Sequence, residues 1–254
     1  MSIVAQKRII KDIRDIEKNP LTQHGIFTVY DENNIFNIKV LMIGPENTPY
    51  EKGFFFFDLK FPHDYPFKPP LVKLCTLDGE NRVRFNPNLY VCGKVCLSII
   101  NTWSGPSWTS CQTLSSVLLS IQSLLNEMPL RNEPGFENEH KSKCKIYNRI
   151  IQYHTIRVAV CNVLDNIPST FETFYPIITD FFFKNFDWYI KYLQKYKKYD
   201  GNYEKSPIYS MELKYNYKMI ESNIKKIYEN LNLSQIKNID LNKDKFNNSS
   251  YTYN

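Results

Sequence analysis

The 254-residue chain has no apolar run long enough to cross a bilayer. Val117-Leu118-Leu119-Ser120-Ile121 and Phe181-Phe182-Phe183 fall far short of the roughly 18 consecutive apolar residues that a spanning helix needs, so no membrane partner is expected. Its six cysteines, Cys75, Cys92, Cys96, Cys111, Cys144 and Cys161, form no repeated framework. Lys7, Arg8 and Lys11 interrupt the N-terminus where a secretory signal would be apolar. A reducing intracellular setting is expected, cytoplasmic or also nuclear. Histidine is scarce: His24, His63, His140 and His154 lie in no recognisable nucleophile–base context, which counts against a cysteine protease. Cys92-x-x-x-Cys96 has no matching second pair, so a structural zinc site is not expected. Charge is not concentrated either. The net +6 divides as nineteen basic against sixteen acidic residues over 1–165 and thirteen against ten thereafter, which gives nucleic-acid binding little support.

What is present is ample for a core: 43% hydrophobic residues, 15% of the chain aromatic. Ile9, Ile13 and Ile16 recur at helical spacing, and the pattern ends at Asn19-Pro20. The other face of that helix, with Lys7, Arg8 and Lys11, is a solvated surface or a docking face for an acidic partner. Extended runs over 25–31, 35–43, 53–61 and 71–76 follow with turns between the first three and no intervening helix, which predicts an antiparallel meander carrying helices on one face. The run Phe61-Pro62-His63-Asp64-Tyr65-Pro66-Phe67-Lys68-Pro69-Pro70 cannot donate backbone bonds at its prolines and predicts a rigid loop with aromatic contact points. A buried helix is predicted over 113–126 and another over 138–164. Beyond Pro168 aromatics and lysines crowd together, predicting two or three further helices to about Leu233. Residues 234–254 are polar and aperiodic and read as a disordered tail.

One segment carries chemistry. In Asn86-Pro87-Asn88-Leu89-Tyr90-Val91-Cys92-Gly93-Lys94-Val95-Cys96-Leu97-Ser98, Cys96 stands eight positions after Asn88, and the loop Thr102-Trp103-Ser104-Gly105-Pro106-Ser107-Trp108 follows. A thiolate that attacks an activated acyl group forms a thioester, which a lysine amine can accept; the reaction needs a nucleophile and an oxyanion donor. Cys96 is the candidate nucleophile and Asn88 the candidate donor.

The segment resembles the active site of ubiquitin-conjugating enzymes, whose pattern is His-Pro-Asn, seven residues, then the thioester cysteine. The likeness extends over about residues 1–165, from the first helix through Tyr65-Pro66-Phe67-Lys68-Pro69-Pro70 to the helix at 113–126. The stretches from Val95 to Trp108, Asn132 to Glu137 and Thr155 to Cys161 are most similar to class Z of that family, which also carries a C-terminal helical extension. The resemblance implies an α+β ubiquitin-conjugating fold over 1–165, a four-stranded antiparallel meander with an N-terminal helix and further helices, and a helical extension over 166–233. It implies that Cys96 carries ubiquitin or a ubiquitin-like modifier, received from an activating enzyme that consumes the ATP, and passes it to substrate lysine, usually with a ligase. No cofactor is expected on this chain. Asn88 would stabilise the oxyanion and Glu133 would orient or deprotonate the amine. Lys7, Arg8 and Lys11 would face the activating enzyme, and Phe67, Ser104 and Pro106 a ligase. Asn86 departs from the family by replacing the histidine that braces the loop, though its amide can donate similarly. Ser98 stands where an aspartate is common. The alternatives are a non-catalytic ubiquitin- or ligase-binding variant, whose only support is Asn86, and an aromatic C-terminal interaction module carried by the catalytic domain.

Overall fold

The computed structural model describes residues 2–31 and 33–248, with side chains as far as Ser234. The chain opens with helix α1 (Ile3–Lys18), which begins where the Ser2 hydroxyl accepts the Ala5 N–H and buries the stripe Ala5, Ile9, Ile13 and Ile16. Strands β1 (Ile26–Asp31), β2 (Asn34–Ile43), β3 (Phe54–Lys60) and β4 (Leu71–Leu74) form the expected antiparallel meander in the order β1-β2-β3-β4. Helix α2 (Leu114–Leu124) starts at a reciprocal cap between Thr113 and Ser116 and buries Leu114, Val117, Leu118, Ile121 and Leu124.

The sheet is covered differently from the expectation of helices on one face. Successive strand residues point to opposite faces, yet Phe54, Phe55, Phe56 and Phe57 in β3 are all fully buried. Phe55 meets Tyr50 and Phe85, at ring separations of 5.8 and 5.3 Å. Phe54 meets Phe181 at 5.9 Å and Phe56 stacks on Phe171 at 4.5 Å. The second face of β3 is therefore closed by the C-terminal extension.

Where one helix is expected over 138–164, the structure has α3 (Lys141–Ile156), a π-helical turn (Arg157–Asn162) and a short α4 (Val163–Asp165). Val158, Ala159, Val160 and Cys161 are buried in succession, covered by β3 on one side and the last helix on another. The extension contains α5 (Tyr175–Lys184), α6 (Phe186–Tyr196) and α7 (Tyr217–Asn248), and between the last two an unanticipated hairpin, β5 (Tyr203–Lys205) with β6 (Glu212–Lys214). Three-residue strands are too short to show a period of two. Helix α7 runs past Leu233; residues 249–254 of the expected tail lie outside the described residues.

The extension shares one apolar core with the sheet. The Tyr189 hydroxyl donates to the Lys52 carbonyl at 2.7 Å, Arg149 pairs with Glu204 with Nε–Oε2 at 2.9 Å, and Tyr153 meets Tyr215 and Tyr217 edge-on. His154 lies in this seam, where burial and the neighbouring Arg157 lower its pKa to about 3. An unfolded histidine titrates near 6.5, so below that pH the unfolded chain binds the extra proton and the fold loses stability, down to about pH 3. Between pH 6.5 and 5.5 the cost is about 1 kcal/mol, so the melting temperature should fall about 2–4 °C more than in His154→Gln. Equal pH dependence in differential scanning calorimetry would contradict this.

Candidate active site

The long loop between β4 and α2 is fixed near its middle by a tight turn. The Gly93 N–H donates to the Tyr90 carbonyl at 2.9 Å, and the Gly93 carbonyl accepts the Leu74 N–H at 2.8 Å, tying the turn to β4. Gly93 has φ +88°, and an added Cβ would approach the Leu74 carbonyl oxygen at 2.5 Å. Both the dihedral and the contact require glycine. Gly93→Ala should cost about 1–3 kcal/mol in urea denaturation, because backbone atoms and not a flexible side chain must move.

The turn delivers the next residues to Asn88. The Cys96 N–H donates to the Asn88 carbonyl at 2.8 Å, and Asn88 Nδ2 donates to the Cys96 carbonyl at 2.9 Å. On the other side, the Thr102 hydroxyl accepts the Leu97 N–H at 2.9 Å and donates to the Val95 carbonyl at 2.8 Å. The backbone around the cysteine is held from both flanks. The thiol itself is less open than the proposed chemistry asks: Cys96 is 1% exposed, although it lies outside the contiguous apolar cluster that takes in Val95 and Ile100. Cys92, four residues earlier, is exposed. Sequence spacing fixes which cysteine meets Asn88 but not what covers its sulfur.

Asn86 performs the bracing that its place in the motif requires. Fully buried, it donates from Nδ2 to the Tyr50 hydroxyl at 2.9 Å and to the Leu124 carbonyl at 2.7 Å, and its Oδ1 accepts the Asn88 N–H at 2.9 Å. Tyr50 passes its own proton to the Phe85 carbonyl at 2.7 Å, and burial pushes its pKa upward, so it stays a donor. Asn132 reaches the same oxygen of Asn86 at 3.4 Å and the Leu124 carbonyl at 3.2 Å. Glu133, the next residue, is thereby anchored to the Asn86–Asn88 segment. Its Oε2 accepts a hydrogen bond from the Tyr209 hydroxyl, which comes from the hairpin of the extension.

Sequence reasoning missed Tyr50, Thr102, Asn132 and Tyr209. Thr102 reads as an ordinary polar residue of the loop after Cys96, whereas Tyr50 and Asn132 lie 36 and 46 positions from Asn86. Tyr209 lies 76 positions from Glu133, and no local pattern joins them. Among the described residues, no group of three or more His, Cys, Asp or Glu could hold a metal ion.

The proposed partner residues separate. Lys7 and Lys11 are exposed. Arg8 is not free to dock: its Nε lies 3.0 Å from Asp12 Oδ1, and its other nitrogens donate to the Ser110 carbonyl at 2.6 Å and to the Gln112 carbonyl. Asp12 is buried and also takes the Tyr65 hydroxyl, so Arg8 neutralises an interior charge and binds α1 to the approach to α2. Phe67 is 73% exposed, whereas Tyr65 beneath the same loop is fully buried. Ser104 and Pro106 are exposed, and Trp108 links their loop to that of Phe67 by donating Nε1–H to the Pro66 carbonyl at 2.6 Å.

A meander backed by α2, with a cysteine pinned to the second asparagine of Asn-Pro-Asn, is the architecture of a ubiquitin-conjugating catalytic domain. Residues 8–159 match the family profile described as ubiquitin-conjugating enzyme, and the chain belongs to that family. Ubiquitin-conjugating enzyme E2 Z of Danio rerio is 49% identical over 183 residues, 72% of this chain and 55% of that protein. The E2 Z protein of Homo sapiens is also 49% identical over 183 residues, which cover 72% of this chain and 51% of its own. The protein named Dual E2 ubiquitin-conjugating enzyme/E3 ubiquitin-protein ligase BIRC6 of Homo sapiens is 43% identical over 159 residues, 58% of this chain and 3% of that protein. The resemblance to class Z is borne out, and the chain spans about half the length of the E2 Z relatives it matches.

Proposed function

We propose that this chain accepts ubiquitin or a ubiquitin-like modifier on Cys96 and passes it to lysine. In charging, the Cys96 thiolate attacks the carbonyl carbon of a modifier thioester on the activating enzyme; the new C–S bond forms and the enzyme's sulfur leaves as thiolate. In transfer, a neutral lysine amine attacks the same carbon, the C–N bond forms, Cys96 Sγ leaves, and the amine's proton passes to a base. Glu133 is our candidate to orient the amine and take that proton. The observation that carries this reading is the reciprocal pair of hydrogen bonds between Asn88 and Cys96, which holds an amide donor against the nucleophile's own backbone.

The non-catalytic alternative rests on Asn86 alone, and the bonds that Asn86 makes to Tyr50, Leu124 and Asn88 remove that support. For docking, Lys7 and Lys11 with the exposed apolar Ile3, Val4 and Ile10 of α1 suit an activating enzyme. Phe67, Ser104 and Pro106 suit a ligase. ATP is consumed by the activating enzyme, and no cofactor is assigned to this chain. Six free cysteines suit the reducing cytosol, or the nucleus. Among the described residues, no helix is long and apolar enough to cross a membrane.

The test is charging. The chain mixed with activating enzyme, ATP and ubiquitin should give, on a non-reducing gel, a thiol-sensitive band larger by one ubiquitin. If panels of activating enzymes and modifiers yield no such band, the carrier reading fails.

A further inference from the structure

The C-terminal hairpin is tied to the catalytic loop at its tip. Tyr209 and Ser210 at that tip have φ +64° and +52°, the left-handed region that side chains other than glycine avoid unless surroundings hold them there. What holds them is visible. The Arg84 guanidinium is sandwiched between the rings of Tyr90, at 3.7 Å, and Tyr209, at 3.9 Å. The Arg84 N–H points to Met211 Sδ at 3.4 Å, and the Tyr147 hydroxyl donates to the Arg84 carbonyl at 3.3 Å. Arg84 also donates to the Pro87 carbonyl, between the two asparagines of the motif. The strained turn thus aims one phenol at one carboxylate, that of Glu133.

We propose that Tyr209 is a positioning residue for the acceptor lysine: its hydroxyl holds Glu133 Oε2, so that the carboxylate is fixed beside the Asn86–Asn88 segment with its other oxygen left for the amine. This rests on the role proposed above for Glu133 and adds what keeps that side chain in place. A carboxylate has about four lone-pair sites on two oxygens, so one phenol does not saturate it. A phenol suits the task because it donates without competing for the amine's proton; burial and the adjacent carboxylate both raise the Tyr209 pKa and keep it protonated. A long, half-buried carboxylate side chain on a loop would otherwise sample several rotamers, and each misplaced rotamer lowers the productive fraction. The extension then has a direct part in transfer as well as in closing the second face of β3.

The experiment follows discharge of the charged full-length chain to free lysine at increasing lysine concentration, comparing Tyr209→Phe, Glu133→Gln and the double variant. Tyr209→Phe keeps the ring on Arg84 and removes only the hydroxyl. It should raise the half-saturating lysine concentration about 3–10-fold with a smaller change in maximal rate, because orientation of the amine and not departure of the thiolate is affected. Glu133→Gln should also slow discharge. In the double variant the Tyr209→Phe effect should vanish, since the two groups act as one unit. If Glu133→Gln slows discharge while Tyr209→Phe matches wild type, or if the two effects multiply, the positioning role is overturned and the Glu133 role stands. If Glu133→Gln discharges at the wild-type rate, both fall. Circular dichroism melting of Tyr209→Phe checks the hairpin; a variant melting like wild type yet needing more lysine separates positioning from loss of fold.

Discussion

Cys96→Ala is expected to abolish the thiol-sensitive adduct, while Cys92→Ala charges like the unaltered chain. Two cysteines four residues apart make opposite claims on the role. Cys92 is exposed and ready for a partner; Cys96 is 1% exposed and paired through its backbone with Asn88. Accessibility alone selects Cys92. Catalysis depends on where the oxyanion will be met, and a nucleophile outside the donor's reach forfeits roughly 2.7–4 kcal/mol for each donor lost. The geometry therefore selects Cys96, and loss of the sulfur should reduce adduct by more than about 10³-fold, to background. Persistence of the adduct in Cys96→Ala with its loss in Cys92→Ala would move the nucleophile to the exposed thiol. A thiol-directed reagent offers a parallel measurement: Cys92 and Cys111 should react first, Cys96 more slowly, and Cys161, whose pKa burial pushes up to about 12, only on unfolding.

The residues that were legible in advance share a property: their signals lie in sequence-local patterns. The isoleucines of α1, the extended runs of the meander and the capped helix α2 each announce themselves over a dozen residues or fewer, and the eight-residue interval from Asn88 to Cys96 spans one loop. What escaped depends on contacts between distant segments. The four buried phenylalanines of β3 looked like one strand of a one-sided sheet, because nothing local says that Phe171 and Phe181 will close the other face. Arg8 reads from sequence as part of a solvated or docking face because the carbonyls that bind it lie more than a hundred positions away. Charge patterning marks a helix face as polar but does not tell a free arginine from one engaged by a buried aspartate. The hairpin at 203–214 is the extreme case, made of strands too short to have a period and placed by the Arg149–Glu204 pair and the Arg84 sandwich.

Asn88→Ala is expected to slow discharge to free lysine by about 10²-fold or more while leaving charging nearly intact. In the resting chain one amide hydrogen is engaged by the Cys96 carbonyl at 2.9 Å, and Oδ1 is buried with no hydrogen-bond partner among the described residues. The side chain is thus held in this pose by a single hydrogen bond, whose net worth is about 1 kcal/mol. An oxyanion forming on the acyl group of Cys96 offers the same amide roughly 2.7–4 kcal/mol in the transition state. The second magnitude exceeds the first, so the amide can turn from the carbonyl to the oxyanion, or meet it with its second N–H, and still favour transfer. A purely structural Asn88 predicts something else: removal would leave the Cys96 carbonyl unpaired, loosen the loop, and slow charging and discharge by one common factor. Measuring both rates on Asn88→Ala decides between the two. Discharge reduced far more than charging supports the donor, and equal reductions would leave Asn88 as a brace of the loop and send the search for the oxyanion donor elsewhere.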